Sequence, residues 1–220
     1  AANLRLLTGE YLQLAIAQAD LVQDAYDQTG IFADEEEDRG FGAVAALYTE
    51  TCQVVVRADS DIRSIEDLHG RTVSIGAEES GSEQNARQIL SAYGLNDKMV
   101  SMVNLNYEDA AAQLKAGRVD AIFMTVGAPS PVLTALAGEC GIRLLKVDGA
   151  AAQRLQSAYS AYSGVTLPAG TYPGQTEKVQ TVGVKAVLLA SNALPAKQVQ
   201  QLTQLLFSSR EGLEEQLGIP

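Results

Sequence analysis

From Arg71 onward the spacing of hydrophobic and polar positions changes period repeatedly. Thr72-Val73-Ser74-Ile75-Gly76 is a short β-type run closed by glycine. Between Ser82 and Tyr93, apolar residues at Ala86, Ile89, Leu90 and Tyr93 trace one face of a helix. Met99 to Leu105 predicts a strand, Tyr107 to Ala116 a helix and Val119 to Met124 a strand. Pro131 to Leu136 then predicts a helix, and Ile142 to Val147 a strand. Alternation of this kind with short connections predicts a parallel sheet covered by helices, a doubly wound α/β lobe.

Further elements flank that block. Leu12 to Ile16, Val44 to Leu47 and Gln53 to Arg57 have strand character, and Thr181 to Ala190 is a long run rich in Val and Leu. Pro195 to Phe207 predicts a helix with proline at its start. Gly and Pro cluster from Gly164 to Gly174, which predicts an ordered crossing between lobes. The expected organisation is a discontinuous first lobe, residues 1–60 with 168–220, interrupted by a second lobe, residues 61–167. Asn3-Leu4-Arg5-Leu6-Leu7 reads as the last turns of a helix before Gly9, with no cap ahead of it. The chain is therefore expected to begin inside a fold.

Composition narrows the function more than the fold. Sixteen basic residues against 27 acidic ones give a net charge of −11, which argues against nucleic acid and favours a monomer kept apart by its own charge. No run reaches the roughly 20 apolar residues of a membrane-spanning helix, and no secretory h-region opens the chain. Aromatic residues are 5% with no Trp, so stacking platforms are sparse. Cys52 and Cys140 stand too far apart for a short-spaced metal pair, and free buried thiols are expected over a disulfide.

The stretch that carries candidate chemistry is Gly76-Ala77-Glu78-Glu79-Ser80-Gly81-Ser82-Glu83, between a predicted strand and a predicted helix. A helix N-terminus presents unpaired N–H groups and partial positive charge, and small residues admit a close ligand. Ser80 and Ser82 are candidate hydroxyl donors, and a carboxylate is the natural occupant. The same residues also fit a capping box, Ser80 with Glu83, that binds nothing. Glu78 and Glu79 make the turn less welcoming to an anion and suit an ammonium group. Thr125-Val126-Gly127-Ala128-Pro129 ends a strand facing the same crevice, with Gly127 permitting close backbone approach, or is an ordinary helix-starting turn.

Enzyme chemistry finds little support. His69 is the only histidine and sits in a polar turn, which makes a Ser-His-Asp or Cys-His arrangement improbable. The acidic run from Asp34 to Asp38 lacks the spacing and central glycine of a calcium loop, so a solvated loop is expected and no metal site. No phosphate-binding lysine motif and no dinucleotide-binding glycine motif occurs, so no cofactor is expected.

Taken together, several motifs resemble the TAXI family of TRAP-transporter solute receptors. The matching stretches are Asn3 to Leu7, Gln18-Ala19-Asp20, Asp67-Leu68-His69-Gly70-Arg71, Ser80-Gly81-Ser82-Glu83, Gly127-Ala128-Pro129 and Pro168 to Gly174, in order along nearly the whole chain. The resemblance implies a periplasmic-binding-protein-like fold of type II, two doubly wound lobes joined by crossing strands. It implies an exported, periplasmic receptor, not an enzyme, that captures a small carboxylate such as glutamate or a dicarboxylic acid. The solute would pass to a TRAP-type membrane permease. It places Gln18 and Asp20 of the first lobe opposite Ser80, Gly81, Ser82 and Gly127 of the second, with Tyr172 near the cleft. Three features depart from the family pattern. The opening strand and its Gly- and Tyr-rich loop have no counterpart, Glu78-Glu79 stands where Pro-Gly is usual, and Ser82 replaces Thr. A sensory ligand-binding domain on the same fold, or a remnant that no longer binds, are the competing expectations.

Overall fold

The computed structural model describes residues 1–34 and 40–208, so the acidic run lies outside the described residues apart from Asp34. The chain divides into two units, Ala1–Thr49 with Lys185–Pro220 and Glu50–Val184. These boundaries differ from the expected 60/61 and 167/168 because two long strands carry the chain between units. They are β2 (Phe41–Arg57) and β8 (Val179–Ser191). The sequence predicted two short strands where β2 is continuous, since the polar Tyr48-Thr49-Glu50 stretch hides the join. The Gly164 to Gly174 cluster is not the crossing; it lies wholly inside the second unit, where Ser163–Leu167 is itself a strand, β7.

The second unit holds the predicted βα alternation. Its elements in order are β3 (Thr72–Ser74), α3 (Gly81–Ala92), β4 (Ser101–Val103), α4 (Tyr107–Lys115), β5 (Ala121–Val126), α5 (Pro131–Cys140), β6 (Ile142–Leu145) and α6 (Gly149–Ala158). β3 pairs parallel with both β4 and β5. β2, however, pairs antiparallel with β5 (Cys52 opposite Thr125) and with β6 (Val54 opposite Leu145), and β7 pairs antiparallel with β8. The sheet is thus mixed, not parallel throughout. The crossover helices keep β3, β4, β5 and β6 running in one direction; β2, antiparallel to both β5 and β6, enters from outside the repeating block.

Both faces of this sheet are covered, which is why its strands read as unbroken apolar runs. Side chains alternate across the pleat. Val54, Val56, Val73, Ile75 and Phe123 pack with Ala86, Ile89 and Leu90 of α3 and Leu155 of α6. Val55, Ile122 and Met124 pack on the other face against Leu114 of α4 and Leu133 and Leu136 of α5. Each fully buried aliphatic side chain of this kind contributes roughly 1.5–3 kcal/mol. Cys52 is buried in the first cluster, Cys140 is half-buried, and both are free thiols.

The first unit contains α1 (Ala2–Thr8), β1 (Leu14–Gln18), α2 (Ala19–Asp27), the ends of β2 and β8, and α7 (Ala196–Ser208). β1 pairs antiparallel with β8, Leu14 opposite Ala190. Its core gathers Leu4, Leu7, Leu21, Phe32, Phe41 and Leu189. Tyr26 donates to the Phe41 carbonyl at 2.8 Å, fixing α2 to β2. α2 escaped the periodicity reading because it follows β1 with no intervening turn, Gln18 serving as its N-cap. Among the described residues no helix is long and apolar enough to cross a membrane.

Candidate functional site

The turn from β3 to α3 is built by glycine and then tied down by its own hydroxyls. Gly76 has φ +97°, and a Cβ added there would lie 2.7 Å from the Ser82 Cβ. Only a residue without a side chain permits this approach. Asn104 Nδ2 donates to the Gly76 carbonyl at 3.1 Å, holding the turn from the β4 side. Glu79 takes the left-handed conformation, φ +55°, just before the helix. Ser80 is the N-cap of α3, its Oγ accepting from the Glu83 N–H at 3.1 Å. Glu83 reaches back to accept from the Glu79 N–H at 2.7 Å, so the capping box is real but shifted by one residue. Burial alone would push the Glu83 carboxyl up; hydrogen bonds from Arg87 and the Glu79 amide outweigh it and hold it below the usual range.

Ser82 is 3% exposed, and its hydroxyl is engaged inside the unit. Its Oγ accepts from the Thr125 N–H at 3.0 Å and lies 2.7 Å from the Tyr107 Oη. Tyr107 donates its single proton to the Thr125 carbonyl at 2.9 Å. The Ser82 proton therefore points to Tyr107. This knot joins the starts of α3 and α4 to the end of β5, and burial raises the Tyr107 pKa. The expectation that Ser82 offers a hydroxyl donor to a solute does not match this geometry, because its proton is committed to Tyr107; among the described residues Ser80 Oγ only accepts, so its proton stays available. What the first turn leaves open is the amides of Gly81 and Ser82, which have no partner within a helix. They stand at the positive end of a 12-residue helix, Gly81 half-buried and Ser82 buried.

A second knot sits beside the first. Tyr172 is 1% exposed; its Oη accepts from the Ser130 N–H at 2.9 Å and donates to Gln53 Oε1 at 2.5 Å. Gln53 in turn donates from Nε2 to the Val126 carbonyl at 3.4 Å. Half-buried Gly127 lies between Val126 and Ser130, so both ends of its loop are held. Burial pushes the Tyr172 phenol up as well. The structure thus brings Ser80, Gly81, Ser82 and Gly127 together around the end of β5, with Tyr172 beneath rather than lining the surface. Gln18 and Asp20 belong to the other unit: Gln18 ends β1 and caps α2, and Asp20, 5% exposed, accepts from the Leu21 N–H at 3.0 Å.

Sequence reasoning missed Gln53, Tyr107 and Ser130, and named Thr125 only as the start of the Gly127 stretch. One signal was present: Gln53 is a lone amide in the otherwise apolar run from Cys52 to Val56. Nothing in the site forms a nucleophile with a base. Among the described residues Ser82 shares no hydrogen bond with a histidine or carboxylate, and no group of three His, Cys, Asp or Glu side chains is placed to hold a metal. Amides at a rigid helix start are suited to holding an oxyanion, here against the neighbouring carboxylates of Glu78, Glu79 and Glu83.

Residues 1–219 match the NMT1-like family. Among solved structures the chain is similar to the periplasmic aliphatic sulphonate binding protein SsuA from Escherichia coli, at 19% identity and TM-score 0.55, covering 99% of this chain and 65% of that one. It is also similar to an ancestral arginine-binding protein bound to arginine, at 15% identity and TM-score 0.58, covering 94% of this chain and 70% of that one. A third likeness is the substrate binding protein of an amino acid ABC transporter, at 15% identity and TM-score 0.53, covering 96% and 74%. The fold is that of solute-binding proteins, and this chain spans about two thirds of the sulphonate binder's length.

Proposed function

Given that the chain belongs to the NMT1-like family, we propose that it is an extracytoplasmic receptor that binds a small carboxylate, an amino acid such as glutamate or a dicarboxylic acid, without transforming it. The observation that carries this reading is the pair of open amides, Gly81 and Ser82, at the start of α3, fixed against β5 by the Ser82–Tyr107–Thr125 knot. The serine hydroxyls and Tyr172 act by positioning the amides and the Gly127 loop; the solute's oxyanion meets backbone. The partner is a membrane permease of the TRAP type. The sulphonate binder among the structural neighbours favours one competing reading, in which the same amides hold a sulphonate.

The reading is tested by a thermal-shift screen of the chain against amino acids, dicarboxylates, alkanesulphonates and sugars. A solute at a hundredfold excess over its Kd stabilises by about 2.7 kcal/mol, a rise of several degrees for a chain of this size. A shift confined to carboxylates supports the proposal. A shift confined to sulphonates transfers it to that class, and a shift with sugars alone overturns it.

A further inference from the structure

A second concave site lies in the same unit, lined by β6, the start of α6 and the turn leading into β8. It is a cavity of about 800 Å³. Although the protein carries a net charge of −11, five cationic side chains line this cavity: Arg63, Arg143, Lys146, Arg154 and Lys178. Three carboxylates, Glu66, Asp148 and Glu177, line it as well, leaving a surplus of two positive charges.

Two of the cations are held unusually close. Arg143 Nη1 donates to the Ser60 and Ile62 carbonyls, each at 3.1 Å, and Nη2 donates to the Ala58 carbonyl. Arg63 Nη1 donates to the same Ser60 and Ile62 carbonyls. Two guanidinium groups thus converge on one pair of backbone oxygens. Among the described residues neither forms an ion pair with a carboxylate. Burial, followed by the neighbouring Arg63 charge, lowers the Arg143 pKa, as expected for like charges without a counter-ion. Exposed Lys146 and Lys178 likewise make no ion pair among the described residues. Gly149, Ala150 and Ala151, the first turn of the ten-residue α6, also line the cavity, and the N-cap Asp148 makes no side-chain capping bond. Guanidiniums and ammonium groups that have no carboxylate partner among the described residues line one volume with the first turn of a helix.

We propose that this cavity binds a small phosphoryl dianion, as the free ion or as a phosphate monoester. A doubly charged group matches the surplus, arginine forks match phosphoryl oxygens, and the α6 amides add the donors a helix start supplies. The site is separate from the β3–α3 turn and draws on none of its residues.

The test is isothermal titration of the full chain with inorganic phosphate, glycerol phosphate and succinate, at ionic strength matched with NaCl. It is repeated on the Lys146→Gln/Lys178→Gln variant, whose two side chains are exposed and make no hydrogen bond or ion pair among the described residues. Saturable binding of either phosphoryl probe, weakened roughly tenfold or more in the variant, is the expected result. Tighter binding of glycerol phosphate identifies an ester as occupant; tighter binding of phosphate identifies the free ion. Absence of binding by both phosphoryl probes, equal affinity in the variant, or preference for succinate overturns the proposal.

Discussion

The β3–α3 turn and the basic cavity, the two regions of one unit for which we propose anionic occupants, are constructed on opposite principles. At the turn the donors are two uncharged backbone amides at the start of α3, and the hydroxyls around them accept from the Thr125 and Glu83 amides. In the cavity the donors are charged side chains, two of which sit together with no carboxylate partner among the described residues. Amides fixed by buried knots select by geometry and tolerate little movement. Lysines and arginines in an open cavity attract by charge and yield to salt. Under the proposed function, a receptor that distinguishes one small acid from another has reason to use the first principle for selection.

The largest effect expected from breaking the turn comes from Gly76→Ala. The new side chain meets the Ser82 Cβ at 2.7 Å and requires φ near +97°. A loss of about 2–4 kcal/mol is expected, combining strain with overpacking. Chemical denaturation reads it directly; a loss below about 1 kcal/mol means that the turn is not held as described.

Next in size are Ser82→Ala and Tyr172→Phe. The first leaves the buried Thr125 N–H without its acceptor, and the second removes the donor to Gln53 and the acceptor of the Ser130 N–H. Each is expected to cost about 1–3 kcal/mol. Solute affinity of the folded fraction should stay within roughly threefold in Ser82→Ala, a change under about 1 kcal/mol, because the hydroxyl is not the contact. Gly81→Pro reverses this pattern. Proline is tolerated at the first position of a helix, and Ser80 already has the extended ψ of 157° that a following proline demands. Stability should hold while affinity falls about tenfold or more, since one amide donor to a charged group is gone. Affinity unchanged in Gly81→Pro removes that amide from the site.

A smaller effect follows from the buried phenols. Tyr107 and Tyr172 have folded pKa values raised above that of an exposed tyrosine. The unfolded chain then loses these protons first as pH climbs, so stability is fully present below about pH 10 and falls above it. Melting curves from pH 8 to 11 should show a steep decline that is shallower in Tyr107→Phe. Smallest of all is the expected response to salt at the turn. Raising NaCl from 50 to 300 mM should weaken phosphate binding in the basic cavity severalfold while altering solute affinity at the turn by less than about twofold.

The βα order of the second unit was legible because buried strands and amphipathic helices impose different periods on neighbouring stretches. The mixed direction of the sheet was not, since pairing partners depend on where β2 enters, and nothing local to Cys52 or Thr125 encodes it. The α3 start was legible from small residues before a helical period, and its capping by Ser80 and Glu83 followed from spacing. The roles of the hydroxyls were not. Ser82 binds groups 25 and 43 positions away, and Tyr172 binds one 119 positions away. The basic cavity was equally hidden, because Arg63, Arg143 and Lys178 come together only through the fold.

The most direct measurement is a nitrogen-15 NMR titration of the chain with glutamate, following the Gly81 and Ser82 amides. A carboxylate held by the start of α3 predicts large, saturable downfield proton shifts at these two amides, with the same midpoint as the thermal stabilisation. Saturable glutamate binding that leaves both amides unmoved contradicts the account and places the solute elsewhere.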